Sequence, residues 1–302
     1  MTTKENEIKK IKKLIIPAAG WGTRFLPMTK IIHKELVPIL DTPVIDRLVN
    51  EALDSGIEEI LIVLSERKKD LLKFFSVDQD LQTELIIKGK KDILEKVKRT
   101  NRSSCITRVI QKEQFGLGHA LASCKEYIDN EPFAIILGDD LIKSKTPAIK
   151  QLIEFYNKTG ANVIGVQSVA KEYIHKYGIV NPINLKDKDK KYFEINGAVE
   201  KPKADKAPSN KAILGRYVFN PEILDILSRI EYDGKNEIQA VDAFDELMKK
   251  YKQKIYAYEF EGIRYDLGSM EGFVKANIDY ALEEPEIADK IKSFINEKVK
   301  EF

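Results

Sequence analysis

The chain has 302 residues, and its 50 Lys plus Arg against 48 Asp plus Glu leave a formal charge of only +2. The high charge density is therefore mixed in sign, which excludes the basic footprint of a nucleic-acid binder, while the length suffices for one large α/β domain or two small ones. No stretch approaches the roughly 18 consecutive apolar residues of a membrane span, and MTTKENEIKK at the N-terminus lacks the apolar core of a signal peptide, so a cytoplasmic protein without a membrane partner is expected. Cys105 and Cys124 have no metal-ligand spacing and read as reduced thiols.

In chain order, KLIIPAA (13 to 19), EEILIVLS (58 to 65) and FAIILGDD (133 to 140) are continuous apolar runs of the kind that parallel strands show when both faces are buried. Between the first two, the sequence predicts a helix with Thr42 as N-cap, Pro43 at the first helical position, a buried face of Ile45, Leu48, Val49, Ala52 and Leu53, and Gly56 as terminator. A charged, helix-prone excursion covers about 76 to 104, before the strand CITRVIQ (105 to 111). The same helix grammar returns at Thr146-Pro147, with Ile149, Leu152, Ile153 and Tyr156 facing inward and Gly160 at the end, leading into the strand ANVIGVQSVA (161 to 170). Beyond 177, YGIVNPI and YFEINGAVEKP read as strands joined by the polar turn KDKDKK, followed by KAILGRYVF; a mixed-sheet second half results. Helices are expected over 221 to 230 and 238 to 250, a strand at KIYAYEFEG (254 to 262), and two helices from about 269 to the end.

The first apolar strand runs into GWGTR. Gly20 and Gly22 sit where a buried strand of an open α/β sheet ends, which is where such folds bind ligands; glycine lets backbone N–H groups approach an anion, and Thr23 adds a hydroxyl. Neither standard phosphate loop fits, because Phe25 stands where a dinucleotide motif needs a third glycine and no Gly-Lys-Ser or Gly-Lys-Thr is present. Arg24 and Lys34 instead place two cations on one segment that can wrap a polyphosphate. Asp139 and Asp140 close an apolar strand after Gly138, and read either as turn residues or as the one or two carboxylates that a magnesium ion takes.

GWGTRFLPMTKIIHKELVPI resembles the signature of the sugar-phosphate nucleotidyltransferases. The segments QFGLGHA (114 to 120), FAIILGDD, KYGIVNP (176 to 182), VEKPKADKAPSN (199 to 210), GRYVFNPEI (215 to 223), NEIQAVDA (236 to 243) and GIRYDLGS (262 to 269) are similar, in the same order, to the bacterial branch that transfers uridylyl from UTP to glucose 1-phosphate. The resemblance covers about residues 12 to 280. It implies a Rossmann-like α/β fold with a mixed, mostly parallel sheet, forming one domain: a nucleotide half (12 to 145), a sugar-phosphate half (146 to 268) and C-terminal helices (269 to 302).

It further implies that Arg24 and Lys34 hold the triphosphate, that Lys201 meets the sugar phosphate while Glu200 accepts sugar hydroxyls, and that Gly178 lets the backbone pass close to the sugar. Asp139 and Asp266 would carry Mg²⁺, with Asp140 behind them. Base selection would fall to backbone groups of Ala18, Ala19 and Gly20 with Gln111, Gly116 and Glu35; Gln111 offers both a donor and an acceptor to the pyrimidine edge. Relatives are commonly homodimers or homotetramers. His33 replaces the family's proline before Lys34, which frees the backbone there; it is either a tolerated loop residue or a triphosphate contact. Trp21 either packs on the ligand or lies on a lid surface. His119 and His175 read as structural. A thymidylyl or dual-specificity enzyme, a catalytically silent homologue and a protein-binding scaffold are the alternative readings.

Overall fold

A computed structural model of the protein describes residues 8–184 and 191–301. The turn KDKDKK lies outside the described residues except for Lys191, as does most of the N-terminal stretch on which the signal-peptide expectation rests. In chain order the strands are β1 (Lys13–Pro17), β2 (Pro38–Ile39), β3 (Thr42–Pro43), β4 (Glu59–Leu64), β5 (Ile106–Ile110), β6 (Phe133–Ile136), β7 (Asp140–Lys143), β8 (Asn162–Ser168), β9 (Gly178–Pro182), β10 (Tyr192–Glu200), β11 (Lys211–Phe219), β12 (Ile255–Glu259) and β13 (Ile263–Asp266). The helices are α1 (Val44–Asp54), α2 (Gln79–Ile87), α3 (Lys91–Arg99), α4 (Leu117–Ala122), α5 (Lys125–Ile128), α6 (Ala148–Thr159), α7 (Glu222–Leu227), α8 (Phe244–Lys249), α9 (Met270–Ala281) and α10 (Ala288–Val299).

One sheet of nine strands runs through both halves in the order β5-β4-β1-β6-β11-β8-β12-β10-β9. β1 is parallel to both β4 and β6, and β4 to β5, as the continuous apolar runs implied. β11 then lies antiparallel to β6 and β8. Each central strand feeds two cores. Leu14 and Ile16 face α1 and α6, and Ile15 faces the layer of α4, α7 and α8, all three being fully buried. Burying such a side chain contributes about 1.5–3 kcal/mol.

Both helices read from Thr-Pro pairs begin one residue later than expected. Pro43 and Pro147 occupy the cap position with extended ψ, neither cap makes a side-chain hydrogen bond, and Thr42 pairs instead in the small β2–β3 hairpin. FAIILGDD also divides: β6 stops at Ile136, and Asp140 opens β7, which pairs antiparallel with β13 so that Asp140 faces Asp266. This two-stranded sheet joins residues more than 120 positions apart at the mouth of the parallel strands. Behind it Arg216, fully buried, donates two hydrogen bonds to Glu51 on α1 at 2.6 and 2.8 Å, and a third to the Asp140 carbonyl at 2.9 Å.

Candidate active site

Residues from separate segments all along the chain line a cleft of about 980 Å³ at the C-terminal ends of β1 and β6. The loop after β1 supplies Ala19, Gly20, Trp21, Gly22, Thr23, Arg24 and Lys34. Gly22 has φ of 68°, and a Cβ there would stand 3.2 Å from both Lys34 Cβ and Thr29 Cγ2, so only glycine lets the loop close over Lys34. Thr29 Oγ1 donates to the Gly22 carbonyl at 2.8 Å. Phe25 is buried edge-on against Phe273 of α9, and this anchor leaves the neighbouring Arg24 side chain 63% exposed at the cleft.

Arg24 and Lys34 converge on one oxygen. Lys34 Nζ lies 3.3 Å from Asp139 Oδ2, and Arg24 Nη2 lies 3.8 Å from the same atom. Burial opposes ionisation of Asp139, but Lys34, Arg24 and Arg264 outweigh it and hold the carboxyl below its ordinary value. Burial likewise works against the Lys34 ammonium, and Asp139 with Glu35 overcomes it, so Lys34 titrates above the usual lysine range. Asp266 comes to the same cleft on β13, its Oδ1 accepting the Gly268 N–H at 2.9 Å.

The cleft is also lined by Lys176, Tyr177, Gly178, Glu200 and Lys201. β9 and β10 pair Gly178 with Glu200, and a Cβ on Gly178 would meet Glu200 Oε2 at 3.0 Å. Lys201 has φ of 44°, donates its backbone N–H to the Tyr177 carbonyl, and pairs with Glu200 at 3.2 Å. Its side chain is 56% exposed and free to reach an anion.

Two of the expected base contacts, Ala18 and Glu35, fall outside the cleft. Ala18 does not line the cleft: its N–H donates to the Val63 carbonyl, and its own carbonyl accepts from Lys68 Nζ at 2.9 Å. Glu35 is fully buried beneath the loop, its two oxygens 3.0 and 2.9 Å from Lys68 Nζ. Gln111 does line the cleft, but its amide nitrogen already donates to the Gly116 carbonyl at 3.2 Å and meets His119 Nδ1 at 3.1 Å. The Gly116 carbonyl can only accept, which fixes the amide and leaves the Gln111 carbonyl oxygen to face a ligand. Gly116 has φ of 105°, and a Cβ would stand 2.6 Å from the Ile238 carbonyl, so this loop lies flush on the NEIQAVDA segment.

His33 is tied to Asp70 at 3.1 Å and does not line the cleft. Trp21 is 60% exposed at the cleft mouth, with the Arg67 guanidinium 4.9 Å from its ring centre. His119 serves to orient Gln111, a role that residue type alone did not disclose.

Sequence reasoning missed Arg264, Tyr177, Glu237 and Gln239 as lining residues. Arg264 Nε donates to Asp140 Oδ1 at 2.6 Å, and its Nη1 donates to the Tyr177 hydroxyl at 2.9 Å. It thereby joins the Asp139-Asp140 pair to Tyr177. Its place inside GIRYDLGS, two residues before Asp266, was the available signal.

Asp139 and Asp266 supply only hard oxygen donors, and no group of three or more His, Cys, Asp or Glu able to enclose a metal occurs among the described residues. Two carboxylates suit a divalent cation that keeps waters and takes its remaining ligands from phosphates.

Arg24 and Lys34, the carboxylates Asp139 and Asp266 and a further lysine, Lys201, share one cleft, an arrangement suited to joining two phosphorylated reactants. The sequence profile of the nucleotidyl transferase family matches residues 13–283, and the chain belongs to that family. Members of the family generally use a divalent metal. The chain is similar to a protein named UTP–glucose-1-phosphate uridylyltransferase from Staphylococcus epidermidis, 50% identical over 96% of this chain and 99% of the other. A second relative, UTP–glucose-1-phosphate uridylyltransferase 2 of Staphylococcus saprophyticus, is 49% identical over 95% of this chain and 98% of its own. Among solved structures, UDP-glucose pyrophosphorylase complexed with UDP-glucose is 38% identical with a TM-score of 0.80, covering 91% of this chain and 100% of that one. The UTP-bound enzyme from Acinetobacter baumannii is 34% identical with a TM-score of 0.86, covering 95% and 99%.

Proposed function

We propose that the protein transfers a uridylyl group from UTP to α-D-glucose 1-phosphate, giving UDP-glucose and pyrophosphate. The observation that carries this reading is the convergence of Arg24 and Lys34 on Asp139 in a cleft that also holds Glu200 and Lys201. A phosphate oxygen of the sugar phosphate forms a new bond to the α-phosphorus while the bond from that phosphorus to the bridging oxygen breaks, and pyrophosphate leaves. Two polyanions must be brought into line, so positioning and charge neutralisation do the catalytic work and no side-chain nucleophile is required.

Without substrate, Asp139 neutralises Arg24 and Lys34; when the triphosphate enters, both cations turn to its oxygens, Arg24 at the leaving pyrophosphate. Mg²⁺ held by Asp139 and Asp266 would supply Lewis-acid neutralisation of the phosphates. Lys201 receives the sugar phosphate, and Glu200 accepts sugar hydroxyls. The Gln111 carbonyl oxygen accepts the N3–H of uracil.

Thymine presents the same N3–H, so Gln111 does not separate the two bases. Relatives near 50% identity that carry the uridylyl name favour UTP, whereas a structure titled as a putative glucose-1-phosphate thymidylyltransferase is only 22% identical and shares the fold. The chain acts as one domain, since the nine-stranded sheet runs through both halves. We read it as a cytoplasmic homodimer or homotetramer. No helix among the described residues is long and apolar enough to cross a membrane, and α9 presents an exposed stripe of Met270, Val274 and Ile278 for a subunit contact. Pyrophosphate release measured with UTP, dTTP, CTP and GTP against several sugar 1-phosphates tests the assignment; turnover absent with UTP and glucose 1-phosphate overturns it.

A further inference from the structure

Glu35 and Lys68 form an ion pair buried beneath the loop that carries Arg24 and Lys34. Their side chains are 0% and 6% exposed, and neither lines the cleft. Lys68 Nζ donates to both Glu35 oxygens and to the Ala18 carbonyl, so one ammonium joins the start of the loop, its far end and the turn after β4. Glu35 directly follows Lys34 and packs under the backbone at Gly138, one residue before Asp139; a Cβ on Gly138 would touch Glu35 Cγ at 4.0 Å.

Two lysines therefore compete for one buried carboxylate. The Glu35 charge favours the ammonium of Lys34 as well as that of Lys68, and Lys34 in turn opposes the Lys68 charge. A buried carboxylate left without a partner is strongly unfavourable and recruits the nearest cation. With Lys68 removed, that cation is Lys34, the side chain the phosphates need.

We infer that Lys68 is a positioning residue: by saturating Glu35 it keeps Lys34 committed to Asp139 and to the incoming triphosphate. The inference rests on the proposed UTP site. It differs from a simple tether, in which Lys68 matters only because it holds the Ala18 carbonyl. Neutralising Glu35 repairs the charge competition but cannot restore that hydrogen bond.

The test compares the full-length wild type with Lys68→Met, Glu35→Gln and the double variant by UTP titration and thermal melting. Lys68→Met weakens UTP binding by about tenfold or more, while Glu35→Gln and the double variant stay within about threefold of the wild type. If Lys68→Met does not fold, the comparison of Glu35→Gln with the double variant still decides, because both lack the buried carboxylate that could draw Lys34 away and only the latter lacks the Lys68 tether to the Ala18 carbonyl. A folded double variant that binds UTP at least tenfold more weakly than Glu35→Gln overturns the inference in favour of the tether. A wild type that does not bind UTP overturns the proposed function instead, and the two failures are distinct.

Discussion

Lys34 Nζ lies 3.3 Å from Asp139 Oδ2, so the carboxylate assigned to the cation is already paired with the ammonium assigned to the triphosphate. Each group holds the other charged in the free protein, and in the proposed mechanism each exchanges its partner when substrates bind. Asp139→Asn keeps the shape but removes the charge. It is expected to preserve the fold and lower metal-dependent turnover by on the order of 10²-fold or more. Activity assayed across a magnesium titration checks this, and wild-type rates at ordinary magnesium would return Asp139 to a turn residue.

Arg24 reaches the same oxygen from an exposed position, with its neighbour Phe25 anchored on Phe273 and its guanidinium lying against Gly268. Arg24→Ala is expected to fold normally and to lose about 10²-fold to 10³-fold in single-turnover rate, with a smaller loss of UTP affinity, because the contact tightens as charge develops on the leaving group. Arg24→Lys recovers part of the rate, since a point charge replaces a planar fork of donors. Near-normal single-turnover rates in folded Arg24→Ala would contradict the assignment.

Lys201 lines the same cleft as Arg24 and Lys34 and stands beside Glu200. Lys201→Ala is expected to reduce activity by about 10²-fold through the sugar phosphate while UTP still binds. Calorimetric titration with UTP separates the roles: a collapse of UTP affinity in the folded variant assigns Lys201 to the nucleotide.

Lys143 on β7 and Asp279 on α9 pair at 2.5 Å and fasten the small sheet to the C-terminal helices. Hydrogen bonds from Lys143 and Tyr265 hold the Asp279 carboxyl below its ordinary value. A depressed carboxyl contributes stability above its unfolded value of about 4, and that stability is lost as the pH falls through the lower, folded value. Because the Asp279 side chain is 35% exposed, solvent screening limits the contribution to about 1 kcal/mol or less. Lys143→Met should lower the melting temperature at neutral pH and narrow its gap to the wild type below pH 4; an equal gap at every pH would exclude this linkage.

Much of the fold was legible in the sequence because its signals are local. An apolar run such as EILIVL reads as a strand buried on both faces, and the stripe of Ile149, Leu152, Ile153 and Tyr156 reads as a helix on a core. The Gly-Trp-Gly-Thr-Arg loop and the ordered motifs likewise carried Arg24, Lys34, Asp139, Lys201 and Asp266 into one cleft. Tertiary structure alone decided which polar groups remain available there. Ala18, just before the signature, and Glu35, within it, are consumed beneath the loop, since Lys68, more than 30 residues further along the chain, satisfies both. Gln111 keeps only its acceptor because the Gly116 carbonyl and His119 take its donors. Asp140 faces inward because β7 pairs with β13 and brings Arg264 to it. A motif records which residue types lie near the site; which of them face a ligand depends on hydrogen bonds between distant segments, and these exist only once the sheet has closed.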